Sequence, residues 1–192
     1  NACLDQRGLP AITMDYYADH FRFPVRDYYA DLGFDFEKET FEDLGREFIA
    51  AYETRRLECL LQPGAAEAVA ALHARGISQS VLSAYRHDSL IEFIAHFGLD
   101  RYIADVTGAD DIYAYGKVDK GRAWVRSLSG GPECVVLAGD TSHDVDTARA
   151  MGIGCVLFPG GHETAERLSV HGLPMLHART EIVDWISRRN PS

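Results

Sequence analysis

The sequence predicts an α/β protein, with a Rossmann-like parallel sheet core carrying helices on both faces, preceded by a small all-helical domain. Three observations carry this. From Pro63 onward a helical stretch, a glycine that stops it and a short apolar strand recur in that order. Hairpin signals are few in that stretch, so its strands are joined by crossover helices and run parallel. Residues 1 to 60 show helical periodicity and no strand pattern.

Asn1 to Arg7 reads as the end of a helix. Thr13 is placed to cap a short second helix, and Val25 to Leu32 forms a third that stops at Gly33. Thr40 caps a longer one, in which Phe41, Leu44, Phe48 and Tyr52 share a face. The aromatics Tyr16, Tyr17, Phe21, Phe23, Tyr28 and Tyr29 read as the core of this module rather than a ligand box. Leu60 to Gly64 is the linker, broken by Gln62-Pro63-Gly64, so the domains are 1–60 and 63–192.

In the second domain Ala65, Val69 and Leu72 lie on one helical face before Gly76, and Ile77 to Leu82 reads as a strand. Leu90, Ile94 and Phe97 precede Gly98, with a short strand over Tyr102 to Thr107. Val118, Gly121, Val125 and Leu128 mark a helix that ends at the Gly130-Gly131-Pro132 breaker, and Cys134 to Ala138 is the strongest strand. Val145, Ala148 and Met151 then face one way before Gly152, and Gly154 to Phe158 is the last strand.

A length of 192 residues with 46% hydrophobic content suits one domain with a smaller insertion. Nineteen basic against 29 acidic residues, a net charge of −10, argue against nucleic acid as a partner, which needs a basic face. Neither a bilayer-length apolar run nor a signal-peptide pattern is present, so no membrane is expected and the expected location is cytoplasmic. Cys3, Cys59, Cys134 and Cys155 are scattered without zinc spacing, and neither a disulfide nor a zinc site is expected. Cys134 and Cys155, beside or within apolar runs, read as small hydrophobes.

The chemistry concentrates where the apolar run Val135 to Ala138 ends in Gly139-Asp140-Thr141-Ser142-His143-Asp144. Ligands of open α/β sheets bind outside the carboxyl ends of the strands, and Asp140 stands there, able to reach a magnesium ion. Asp144, one helical turn in, reads as support for that metal or as a brace for the loop amides. The same two acids also read as N-terminal acids that complement the helix dipole. Val81-Leu82-Ser83-Ala84 places a hydroxyl and two amides at a strand-to-helix turn suited to phosphate. Lys117 begins a helix, where a cation is disfavoured unless an anion is near. Lys120 competes with it, and either also reads as a solvated lysine. His143 and the Gly160-Gly161-His162-Glu163 loop read as plain solvated loop residues ahead of substrate contacts.

Ser83, Lys117 and Gly139-Asp140-x-x-x-Asp144, in this order on an α/β pattern, resemble motifs II, III and IV of the haloacid dehalogenase-like hydrolase superfamily. The resemblance is greatest to phosphoglycolate-phosphatase-like and β-phosphoglucomutase-like members and spans the chain, with residues 1–60 similar to the four-helix type of cap domain. It implies a Mg²⁺-dependent phosphatase that hydrolyses a small phosphomonoester through a phosphoaspartate. Ser83 and Ala84 would bind the phosphoryl oxygens, Lys117 would offset charge on phosphate and nucleophile, Asp140 would ligate Mg²⁺, and Asp144 would join or support the metal site. Val118 stands where the family's lysine is followed by proline.

The family's motif I, an Asp-x-Asp-x-Thr segment carrying the nucleophile, does not occur in residues 1–192. The resemblance places it upstream, on a central strand between the one ending at Ser83 and the one ending at Asp140. Loss of that strand would leave unpaired backbone on both sides, so the native protein is expected to carry it. Cap residues Phe21, Arg22, Phe23 and Arg26 could meet the substrate's far end, or serve surface and core. A sugar phosphomutase shares this pattern, as does a non-catalytic phosphate- or metal-binding relative. Asp140 counts against a metal-free 2-haloacid dehalogenase, and a phosphonatase would need a cap lysine where only Lys38 stands, between Glu37 and Glu39. The expected partner is a small phosphorylated metabolite, and the expected assembly a monomer or homodimer.

Overall fold

The computed structural model describes residues 1–109, 117–128 and 130–189. Its N-terminal part consists of helices α1 (Ala2–Asp5), α2 (Met14–His20), α3 (Val25–Asp31) and α4 (Phe41–Glu53). Thr13 Oγ1 accepts the N–H of Tyr16 at 3.0 Å and Thr40 Oγ1 that of Asp43 at 3.1 Å, taking up donors that have no partner within the helix. Leu4, Phe34 and Leu44 pack together, and Arg7 seals their edge, with Nη2 2.5 Å from Glu39 Oε2 and 2.8 Å from Glu47 Oε2. The α4 stripe is buried only at Leu44. Phe48 and Tyr52 stay 47% and 36% exposed, because the far half of α4 leaves this core and Tyr52 instead meets Tyr85 edge-on at 5.9 Å.

The remainder runs α5 (Ala65–Ala74), β1 (Ser80–Arg86), α6 (His87–His96), β2 (Asp105–Ala109), α7 (Lys117–Ser127), β3 (Val136–Gly139), α8 (Ser142–Met151), β4 (Gly154–Leu157), α9 (Ala165–Ser169) and α10 (Glu181–Arg189). Gly152, at φ 72°, ends α8 in the left-handed conformation that a side chain disfavours. Val156 packs with Ala68, Leu72, Ile182 and Val183, while Cys155 and Leu157 pack with Val145, Ala148 and Leu168. Alternation along β4 thus feeds two cores, one under α5 and α10 and one under α8 and α9, giving helices on both faces.

The expected single sheet is corrected. β1 pairs in parallel with β2, and β3 with β4, as two separate two-stranded sheets. No residue of β1 or β3 is buried, whereas Cys155, Val156 and Leu157 of β4 are. β1 and β3 each keep an edge that no described strand pairs. Helix α7 bridges the two sheets: a β-carbon on Gly121 would stand 2.6 Å from Met151 Sδ of α8 and 3.3 Å from Leu82 Cδ2 of β1.

Two local expectations also shift. β1 starts at Ser80, not Ile77; just before it, the Gln79 backbone carbonyl accepts the Ala104 N–H at 2.7 Å, in register with the Ser80–Asp105 pair, while its side chain donates to the Val69 carbonyl at 2.9 Å. Cys134 lies exposed in a turn over Pro132–Cys134, whereas Cys155 is buried, which pushes its thiol pKa up to about 11. All four cysteines are free thiols. Among the described residues, no helix is long and apolar enough to cross a membrane.

Candidate active site

β3 delivers Asp140 past its carboxyl end, and the turn into α8 is tied by its own side chains. Thr141 Oγ1 accepts the Asp144 N–H at 3.2 Å, and Asp144 Oδ2 accepts the N–H groups of Asp140 and Thr141 at 3.2 Å and the Thr141 hydroxyl at 2.8 Å. This reciprocal cap gives Asp144 the loop-bracing position, with one carboxylate oxygen on the amides that set the direction of Asp140. Glycine is required at 139, since a β-carbon there would lie 2.6 Å from Asp144 Cγ.

The Asp140 carboxylate turns toward the loop after β4, where Oδ2 accepts the His162 N–H at 2.7 Å. The next residue, Glu163, is 2% exposed. Its two oxygens accept the Ser142 N–H at 3.0 Å and the Ser142 hydroxyl at 2.8 Å, with Arg167 at 3.7 Å and His171 Nε2 2.8 Å from Ser142 Oγ. These bonds join the loop after β3 to the loop after β4. Sequence reasoning named Glu163 only as part of a loop and missed Ser142, Arg167 and His171, because their partners lie 4 to 29 residues away with no shared periodicity.

Ser83 is not the last residue of its strand, as the sequence suggested, since β1 continues to Arg86. Regular pairing nevertheless stops at Leu82 and resumes at Arg86, and in this irregular step Ser83 Oγ accepts the Tyr85 N–H at 3.1 Å. Ala84 lines a cavity of about 140 Å³ with Tyr85, Arg86, Ile49 and Glu53. Lys117 is the first residue of α7, and its side chain, that of Lys120 and residues 110–116 lie outside the described residues.

The helical module covers both strand ends. Over the β3 side, Tyr17 Oη lies 2.6 Å from His162 Nδ1, Phe21 is 5.2 Å from the His162 ring, Phe23 is 4.7 Å from the His143 ring, and Arg167 donates to the Ala18 carbonyl at 2.8 Å. Over the β1 side, the Tyr85 hydroxyl donates to Glu53, and Arg56 donates to the Ser89 carbonyl at 3.2 Å. Ala84 on one side and Asp140 on the other thus lie under the same module. Arg22 and Arg26 are engaged within the module, Arg22 with Asp31 at 2.8 Å and Arg26 over the Phe36 ring at 4.8 Å. Burial pushes the Tyr85 phenol up to about 12, reinforced by Glu53, and raises the Tyr17 phenol as well.

Among the described residues, no three His, Cys, Asp or Glu side chains converge on one point. Magnesium is commonly held by one or two carboxylates, with water and substrate phosphate completing its shell. Asp140, an oxygen donor fixed in direction by the His162 amide, fits that demand.

Residues 1–158 match the haloacid dehalogenase-like hydrolase family. The sequence is 30% identical over 131 residues to a phosphoglycolate phosphatase of Rhodospirillum rubrum, covering 67% of this chain and 54% of that protein. It is 31% identical over 99 residues to the tyrosine-protein kinase PtkA of Mycobacterium tuberculosis, covering 51% and 34%. The chain therefore aligns with about a third to about half of these curated relatives. A haloacid dehalogenase-like hydrolase from Streptococcus pneumoniae has the same fold, with a TM-score of 0.81 at 14% identity over 96% of this chain and 86% of that one.

Proposed function

Since the chain belongs to the haloacid dehalogenase-like hydrolase family, we propose that it serves a Mg²⁺-dependent phosphatase acting on a small phosphomonoester. The observation that carries this is the Asp140 carboxylate, set at the end of β3, held by the His162 amide and roofed by the module that also covers Ala84. Bound magnesium supplies charge neutralisation at the phosphate oxygens. Asp140 would hold it, and Asp144 would keep Asp140 in place through the turn. The Ser83 hydroxyl and the amides of the irregular step after Leu82 orient the phosphoryl group, and Lys117 offsets its charge. The helical module excludes water and screens the substrate's far end.

The nucleophilic aspartate belongs, in this reading, to a strand lodged between β1 and β3. Parallel strands are ordinarily covered and paired on both sides, and the half-exposed β1 and β3, each with an edge that no described strand pairs, support that place.

The test is phosphate release from a panel of small phosphomonoesters by the protein that carries that strand, with Mg²⁺ and with chelator. Release that requires Mg²⁺ is expected. Equal release without metal, or none from any ester, overturns the reading. The similarity to a tyrosine-protein kinase favours one other reading, phosphoryl transfer from a nucleotide to tyrosine. Phosphotyrosine formed with ATP, without ester hydrolysis, would select it.

A further inference from the structure

We propose that Tyr17 is a positioning residue for Asp140, acting through His162, so that docking of the helical module and orientation of the carboxylate form one coupled equilibrium. His162 is bonded at both ends: its ring Nδ1 lies 2.6 Å from Tyr17 Oη, and its backbone N–H lies 2.7 Å from Asp140 Oδ2. A shift of the ring drags the amide with it, because a single residue carries both bonds.

The loop makes that transmission direct. Gly160 sits at φ 86°, and a β-carbon on Gly161 would lie 2.6 Å from Asp140 Cγ, so the backbone approaches the carboxylate as closely as glycine allows. Two glycines give such closeness but little stiffness. Stiffness must come from anchors on either side. One is the buried Glu163, bonded to Ser142, and the other is the module, through Tyr17 and through Phe21 against the His162 ring. Arg167 repeats the tie one residue on, reaching the Ala18 carbonyl while facing Glu163.

Coupling of this kind is reciprocal: an ion that orders the Asp140 loop tightens module docking by the factor by which docking tightens the ion. The metal arm of the test rests on the phosphatase reading, and the exchange arm does not. Mn²⁺ serves as the spectroscopic probe for Mg²⁺, titrated by electron paramagnetic resonance into wild type, Tyr17→Phe, His162→Ala and the double variant. Amide exchange of the 160–163 loop is followed in the metal-free proteins. Tyr17→Phe removes one hydroxyl and leaves the ring packing, so a role confined to packing would not respond. The expected result is about a 3- to 10-fold weaker Mn²⁺ affinity and a comparable rise in exchange for either single variant, the range of one hydrogen bond, with no further loss in the double. Unchanged affinity and exchange in Tyr17→Phe, or effects that multiply in the double, would overturn the proposal. If wild type binds no Mn²⁺, the phosphatase reading fails and exchange alone decides the coupling.

Discussion

Gly161 and Asp140 occupy each other's space: a β-carbon on Gly161 would lie 2.6 Å from Asp140 Cγ and 2.8 Å from its Cβ. The backbone cannot yield without pulling the His162 amide off the carboxylate, nor the carboxylate without leaving its strand-end position. Gly161→Ala should therefore lower both Mn²⁺ affinity and phosphate release at least about tenfold, with only a small drop in melting temperature. Parallel metal titration and thermal melts check this, and a wild-type affinity would refute the contact.

Asp144 should matter first for stability. Asp144→Ala strands the Asp140 and Thr141 amides and the Thr141 hydroxyl, and should cost about 1–2 kcal/mol in urea unfolding. Thr141→Ala should cost about 1 kcal/mol by the same route. Metal affinity should fall in both variants, because the turn that aims Asp140 loosens.

Glu163 should tolerate an amide and not an alkyl group. Glu163→Gln keeps an acceptor for the Ser142 N–H, whereas Glu163→Leu leaves that half-buried amide without an acceptor and takes away the carboxylate that faces Arg167. The Leu variant should lose about 1–3 kcal/mol more than the Gln variant in urea unfolding. Equal losses would show that Glu163 acts by bulk alone.

The Arg7 ion pairs predict an acid-side loss of stability. The hydrogen bond from Arg7, against an opposing burial effect, holds Glu47 below its ordinary value of 4.5. The unfolded chain then binds the proton more readily than the folded one, so the stabilisation is complete above the ordinary glutamate range and is lost as pH falls through the folded value. Arg7→Met should lower the melting temperature at pH 7, and the difference from wild type should shrink as pH falls below the ordinary glutamate range. A difference that persists there would assign the effect to packing.

Local signals read best where one residue decides the outcome. The caps at Thr13 and Thr40, the glycine stop of α8 and the inward face of Val145, Ala148 and Met151 follow from hydroxyl chemistry, left-handed backbone and helical period, and all stand as read. Reading failed where distant parts decide. Nothing in Phe48 or Tyr52 announces that the core stops at Leu44. The break between the two sheets was not read either, because strand periodicity joins β1 to β4 without telling which strands pair. The site was legible at Asp140 and Asp144 because strand, glycine and acids are contiguous. The roles of Glu163 and His162 were hidden because their partners come from another loop and from the helical module.

The central claim is that Asp140 holds the ion on which phosphoryl transfer depends, and Asp140→Asn tests it most directly. The variant keeps an oxygen for the His162 amide, so the fold and melting temperature should persist. Mn²⁺ affinity and Mg²⁺-dependent phosphate release should fall at least about 100-fold. An Asn variant with wild-type metal affinity and full Mg²⁺-dependent activity would contradict the account.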